Sequence, residues 1–316
     1  SQVAYWEMGN EPDVDPIWVP SNSPYGCWGD IRDTYYGGER YGRMLRAVVP
    51  AMRAANPSVK IVLGGLLLDT PNTTDPTRGK PERFLEGVLR SGAADSFDIV
   101  AYHAYTSYTQ PNFDHDLNNG ADWPPRGGWT LGKAAYVRDV LARYGVSKPL
   151  WLNETSMVCS PTWSQCDPPG DEFFAAQADH LIRVMTRAAA ANIQQISWFT
   201  FNGPGWRNGS LLDTNQSPRP SFTAYKRLIE MVGQYQSVSA VDYGQEIEAY
   251  RFVKPGGVVD VLWSRSASTV IALVPSGSYR SAVIWNGAEP STGTSPDGTQ
   301  KYVNVGFQAV FIERAP

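Results

Sequence analysis

Apolar and polar positions follow two different rhythms along the 316 residues. In the first, short strand-like apolar runs alternate with longer stretches whose apolar residues recur every three or four positions. The strand-like runs are Val3–Met8, read as a buried strand, then Val59–Leu63, Phe97–Tyr105, Pro149–Ser156 and Gln195–Phe201. Helical spacing covers Glu39–Ala55, with Tyr41, Leu45, Val48, Val49 and Met52 on one face. It returns from Pro81 through Phe84, Leu85, Val88 and Leu89, around Gly132–Tyr144, and over Asp171–Ala191. A last helix is expected to be capped by Ser221 and to run through Phe222, Tyr225, Leu228 and Ile229. Strand, loop and helix in steady succession predict an α/β fold, a parallel sheet with helices outside.

From about Gln234 the rhythm changes. Six short β-type runs (246–253, 258–264, 268–274, 280–284, 301–305 and 309–312) are separated by Gly/Pro/Ser turns, with no helical spacing between them. This predicts a small antiparallel β-sandwich. The expected division is therefore 1–233 for the α/β domain and 234–316 for an accessory β domain, which carries no evident catalytic cluster and is assigned a structural role.

Composition narrows the partners. A net charge of −4, with no basic stripe, argues against nucleic acid. No apolar run approaches the roughly 18 residues of a membrane span. The aromatic load stands out: 11 Trp and 16 Tyr, many beside Gly, Pro or Asn. The long loop Asp13–Gly38 alone holds Trp18, Tyr25, Trp28, Tyr35 and Tyr36, a load that argues for an ordered, functional loop. Aromatic faces at loop ends suit sugar rings, and Trp28 and Trp123 are candidates; core packing claims about half of such residues. Of the three cysteines, Cys159 and Cys166 bracket a short segment and could close a small disulfide loop. That bridge would favour an oxidising compartment, hence a secreted or extracytoplasmic location, or a thermophile's interior. Cys27 has no evident partner.

Two strand-like runs end in carboxylates, Trp6-Glu-Met-Gly-Asn-Glu-Pro12 and Trp151-Leu-Asn-Glu-Thr-Ser156. Glutamates at the C-terminal ends of two parallel strands are what a retaining glycosidase in a (β/α) barrel needs. Each has a plainer reading: Glu11 as a solvated loop residue before Pro12, Glu154 as an ordinary strand end. His103 and Tyr105 alternate onto one face of their strand, placed to orient Glu154 or to touch substrate; a buried histidine satisfied by backbone is the rival. Trp198 could form a sugar platform or pack in the core. Glu7 is read as pairing with a buried cation rather than as catalytic. His115 with Asp114 and Asp116 is read as a solvated turn rather than a metal site, and no Cys/His spacing resembles zinc. Asn72, Asn208, Asn215 and Asn153 all head glycosylation-type patterns, a coincidence that shows how weak the pattern is.

Those two motifs resemble the large clan of retaining glycoside hydrolases built on TIM barrels, with β-xylosidase, arabinofuranosidase, β-glucuronidase and endoglucanase-like members. In that clan an Asn-Glu pair ends the fourth strand and carries the acid/base, while the nucleophile ends the seventh. The resemblance covers residues 1–232 and implies Glu11 as acid/base, with a raised pKa, and Glu154 as nucleophile. The two carboxyl groups should lie about 5–5.5 Å apart. It also implies Asn10 on the sugar 2-hydroxyl and Trp198 beneath the sugar. It implies no cofactor, no metal and a carbohydrate substrate, without nucleic acid or membrane partners. Strands one to three have no counterpart, so an incomplete (β/α)8 barrel of strands four to eight is expected, with two unpaired sheet edges. The chain would then be a fragment, or a short form whose open side is covered in a homo-oligomer. The function implied is hydrolysis by double displacement. A non-catalytic carbohydrate-binding partial barrel is the alternative, and a metal-dependent hydrolase a third reading.

Overall fold

The computed structural model describes residues 3–19, 26–68, 81–203 and 205–315; Tyr25 and the Asn72 acceptor pattern lie outside them. One sheet takes five strands in chain order: β1 (Tyr5–Met8), β2 (Lys60–Leu66), β3 (Ile99–Ser107), β4 (Leu150–Val158) and β5 (Gln195–Trp198). Helices fill the connections: α1 (Gly38–Ala55), α2 (Phe84–Arg90), the single turn α3 (His115–Asn118), α4 (Gly128–Arg143) and α5 (Asp171–Ala190). A last helix, α6 (Pro220–Val232), follows β5. β1, β2 and β3 pair in parallel. β4 runs the same way, since the Val100 amide meets the Pro149 carbonyl and the Tyr108 amide meets that of Val158.

The sheet is curled into a half-barrel. Glu7 on β1 and Asn153 on β4 are hydrogen-bonded at 2.8 Å, and the rings of Tyr5 and Trp151 lie 5.1 Å apart. On a flat sheet those strands, three spacings apart, would be about 14 Å from one another. Val62, Ile99 and Ala101 form a buried apolar patch with Trp151 packed against it. In β2 the neighbours of alternate parity, Ile61 and Leu63, are also fully buried. From α1, the Tyr41 hydroxyl donates to the Met8 carbonyl (2.5 Å) and accepts from the Gly64 amide (3.2 Å), tying the helix to the ends of β1 and β2.

Two expectations need correction. β1 is not a buried strand: Val3, Tyr5 and Trp6 are 47%, 52% and 46% exposed. It is an outer strand with a neighbour on one side only, so its apolar run is legible as a strand but not as a core. Ser221 does not cap α6. Pro220 occupies the first helical turn after Arg219, where its missing N–H leaves nothing unpaired, and the Ser221 hydroxyl donates to Gln177 Oε1 at 3.0 Å.

Contacts group the chain into two compact units, one of Ser1–Tyr105, Gly120–Thr155 and Asn192–Ser197, the other of Thr106–Asn119, Ser156–Ala191 and Trp198–Pro316. The second contains an antiparallel sandwich of eight strands: β6 (Ser237–Ala240), β7 (Ile247–Lys254), β8 (Gly257–Ser264), β9 (Val270–Pro275), β10 (Tyr279–Ile284), β11 (Thr292–Thr294), β12 (Gln300–Val305) and β13 (Val310–Arg314). Its sheets run β10-β13-β8-β7-β6 and β11-β12-β9. Inward residues of both sheets, among them Leu262, Val274, Val303 and Ile312, share one core.

That second unit also overturns the solvated-turn reading of Asp114, His115 and Asp116, because His115 and Asp116 are fully buried and the Asp114 side chain is 9% exposed. Arg187 of α5 is 1% exposed and is surrounded by carboxylates: Asp114 at 2.6 Å, Glu248 of β7 at 2.8 Å and Asp116 at 3.3 Å. Burial works to raise the Asp114 pKa, but the charge and hydrogen bond of Arg187 outweigh it and hold the carboxyl low. His115 Nε2 accepts from the Thr109 amide at 3.0 Å, and burial pushes its pKa down to about 4, keeping the ring neutral. Removing one partner of such a buried set leaves an uncompensated charge, so the cluster fastens α3, α5 and β7 together.

Asp179, also on α5, accepts from Trp285 Nε1 at 2.8 Å, and burial lifts its pKa to about 7 against the opposing charge of Arg183. A carboxyl whose folded pKa lies above its unfolded value stabilises fully below the unfolded pKa, and that contribution is lost as pH rises through the folded one. Asp179→Asn keeps an acceptor for Trp285 and removes the ionisation. Its melting temperature is expected to exceed the wild type's by more at pH 8 than at pH 5, measured by thermal unfolding at both. An equal difference at the two values would contradict this reading.

Candidate active site

The site draws on the turn after β1, on Gly65 near the end of β2, and on residues midway along β3 and β4, which run on past His103 and Glu154 to Ser107 and Val158. Gly9, at φ 91°, lets the chain leave β1 sharply, a conformation natural to glycine. Glu11 follows with φ 46°. This is an unusual place for a residue before proline, which normally stays extended, and such strain costs on the order of 1–3 kcal/mol. Two backbone bonds hold it, the Glu11 amide donating to the Gly65 carbonyl (3.0 Å) and the Val14 amide to the Glu11 carbonyl (3.1 Å). Asp13 secures the facing end of β2 by accepting from the Leu67 and Leu68 amides at 2.9 and 2.8 Å. Burial, helped by the charge of Glu11, raises Asp13 to about 6 against those hydrogen bonds.

His103 is fully buried, and its Nδ1 lies 2.9 Å from Glu11 Oε1 and 3.4 Å from Glu154 Oε2. A ring nitrogen facing two carboxylate oxygens is the one that donates to them, and Nε2 lies on the other side of the ring. That Nε2 is buried without a protein partner, against the Gly65 backbone. From behind, the Lys133 ammonium donates to the carbonyls of His103 (2.9 Å) and Leu67 (2.5 Å), clamping the middle of β3 to the end of β2. The Tyr105 hydroxyl donates to Glu154 Oε2. Burial raises the Glu154 pKa; His103 and the Tyr105 hydrogen bond work against that, while the charges of Glu11 and Glu7 add to it.

So Glu11, His103, Tyr105 and Glu154, expected to work together, are brought together. Asn10 is half-buried beside them in sequence, its carbonyl accepting from the Gly26 amide at 3.1 Å. Trp28 is half-buried and stands edge-on to Tyr41 at 5.6 Å. Trp123 is not available to a ligand. It is 0% exposed, packed edge-on against Tyr136 with Arg126 and Lys133 over its ring. Its place in a loop had suggested exposure, but the loop is folded over it. Trp198 falls in the second unit, 8% exposed, with Nε1 donating to the Gly209 carbonyl at 2.7 Å. Cys159 and Cys166 are joined by a disulfide, with Cα atoms 5.3 Å apart.

Sequence reasoning missed Gly65, Lys133 and Asp13. A Gly-Gly pair at a strand end was the one visible signal for Gly65. Nothing marks a lysine in a helix as one that binds carbonyls. Among the described residues, Glu11, His103 and Glu154 are also the one group able to offer a metal three ligand atoms, all within 4.8 Å of one another. Chemically the cluster can therefore do two things: share a proton between paired carboxylates, or chelate a cation.

No protein-family model and no curated protein matches the sequence. Solved structures do match in fold. A family 39 glycoside hydrolase from Bacteroides cellulosilyticus superposes with a TM-score of 0.68 at 17% identity, over 99% of this chain and 58% of its own. A glucosidase from Croceicoccus marinus gives 0.62 at 14%, over 99% and 69%. A family 51 α-L-arabinofuranosidase from Bifidobacterium longum gives 0.60 at 13%, over 92% and 66%. The chain thus spans less than two thirds of the first of these proteins. Over that span, the half-barrel sheet and the antiparallel β domain are the fold of glycoside hydrolases.

Proposed function

We propose that this chain carries the two working carboxylates of a retaining β-glycosidase acting on an oligo- or polysaccharide. The observation that supports this most is the pair itself: Glu11 and Glu154 face one histidine nitrogen, with ligand oxygens no more than 4.8 Å apart. Such closeness fits a retaining pair at about 5–5.5 Å, whereas inverting enzymes hold their carboxyls about 6.5–9.5 Å apart to admit a water. The likeness in fold to glycoside hydrolases supports the same reading.

In this reading Glu154 attacks the anomeric carbon while Glu11 gives a proton to the departing oxygen. Glu11 then takes a proton from the water that releases the sugar. Tyr105, donating to Glu154 Oε2, leaves the other oxygen to attack and fixes its direction. Asn10 is assigned to the sugar 2-hydroxyl and the half-buried Trp28 to stacking; Trp198, buried and bonded to Gly209 in the second unit, is given no such role. The Cys159–Cys166 bridge supports an oxidising compartment. Self-association would cover Val3, Tyr5 and Trp6 on the β1 edge, and a single-chain mass by light scattering would contradict it.

The test is hydrolysis of aryl β-glucoside, galactoside, xyloside and glucuronide, with and without a chelator. Turnover of one of them, unchanged by EDTA, is expected. Loss with EDTA would move Glu11, His103 and Glu154 to a metal-dependent hydrolase. Sugar binding without turnover, in folded protein, would favour the non-catalytic half-barrel.

A further inference from the structure

Glu7 lies on β1, hydrogen-bonded to neither Glu11 nor Glu154, yet one of its oxygens joins both halves of the site. Its Oε1 accepts from the Gly65 amide at 2.8 Å and from Asn153 Nδ2 at 2.8 Å. Gly65 is the residue whose carbonyl holds the Glu11 amide, and whose Cα the His103 ring packs against. Asn153 is the residue before Glu154. A single carboxylate oxygen therefore fixes the amide of the residue whose carbonyl holds Glu11, and the strand position next to Glu154. Among the described residues no cation pairs with Glu7; N–H donors from β2 and β4 do, in place of the expected buried cation.

We propose that Glu7 is a positioning residue that sets the separation of Glu11 and Glu154 by anchoring Gly65 and Asn153 to one oxygen. For turnover this rests on the glycosidase reading; the anchoring itself does not. The curl of the sheet makes the arrangement possible, because β1 and β4 meet only across the concave face. A charged acceptor suits the role, since it forms stronger hydrogen bonds than a neutral one and can take both donors on one oxygen.

Three variants separate positioning from bulk structure. In Glu7→Ala both donors lose their acceptor. In Glu7→Gln the amide oxygen can still accept both, and only the charge is gone. Asn153→Ala removes one arm alone. Glu7→Ala is expected to lower kcat roughly 10- to 100-fold, on the scale by which small misplacements act, with KM within about threefold and the melting temperature nearly unchanged. Glu7→Gln should recover most of kcat. In both variants the acidic limb of kcat/KM should move to lower pH, because the Glu7 charge is among those raising Glu154. Asn153→Ala should fall between them.

A second readout needs no substrate. In 15N-labelled protein the His103 ring nitrogens report the hydrogen bond to Glu11. They are expected to shift in Glu7→Ala and to return in Glu7→Gln. Unmoved His103 signals in Glu7→Ala would overturn the proposal, as would equal losses of kcat in the Ala and Gln variants. If the wild type turns over none of the aryl glycosides, the glycosidase reading fails while the His103 resonances still decide the role of Glu7.

Discussion

Glu154→Gln is expected to reduce kcat/KM for an aryl glycoside by on the order of 10⁴ or more, the scale on which covalent catalysis loses its nucleophile. The amide keeps the size of the side chain and can still accept from the Tyr105 hydroxyl, so the fold should survive. What it lacks is an anionic oxygen to form the glycosyl-enzyme bond. Glu11→Gln should behave differently, and the contrast is the informative part. General acid assistance contributes about 10²–10⁴ when the leaving oxygen is poor and little when it is activated. A phenyl glycoside should therefore lose roughly that much in kcat/KM, and a 2,4-dinitrophenyl glycoside less than about tenfold. Leaving-group series for both variants check this. If Glu154→Gln kept within tenfold of wild-type activity, or if the two variants showed the same leaving-group pattern, the assignment of roles would be wrong.

Gly65→Ala is expected to disable the site without touching either carboxylate. A Cβ built at Gly65 would stand 2.1 Å from His103 Nε2, 2.7 Å from its Cδ2 and 3.0 Å from Asn153 Oδ1. The His103 ring is fully buried and held at its front by Glu11 and through its backbone by Lys133, so it cannot simply turn away. Either the ring or the β2 backbone must shift by most of an ångström. A displacement of that size can cost about 10²-fold in rate, and overpacking of this kind about 1–3 kcal/mol in stability. Gly277→Ala, whose added Cβ meets nothing within 4 Å in an ordinary backbone conformation, is the control and should be neutral. Rate assays and chemical denaturation of both proteins test the point. Wild-type activity in Gly65→Ala would mean that His103 has freedom the packing denies it.

Much of this was legible in the chain because the signals were local. The strand runs before Glu11 and Glu154 and the alternation that puts His103 and Tyr105 on one face follow from period-two geometry. The change of rhythm after Gln234 announced the sandwich. What escaped was non-local. Trp123 sits in a loop-like sequence, and only the folded chain shows Tyr136, Arg126 and Lys133 enclosing it. Asp114, His115 and Asp116 look like a solvated turn until Arg187, 71 residues on from Asp116, supplies the charge that allows their burial. Glu7, on the inward face of its strand run, suggests a buried cation as partner; its donors are an amide on β2 and a side chain on β4. The positive φ of Glu11 has no sequence signal, since the residue before proline is ordinarily extended.

If Glu154 is the nucleophile it becomes covalently attached to the sugar, and that species can be trapped. The wild-type chain would be incubated with 2-deoxy-2-fluoro aryl β-glycosides of the sugars in the panel, then digested and its peptides weighed. The account predicts one fluoroglycosyl adduct, on the peptide containing Glu154 and absent from Glu154→Gln. Turnover of the parent glycoside with an adduct on another residue, or with none at all, would contradict it.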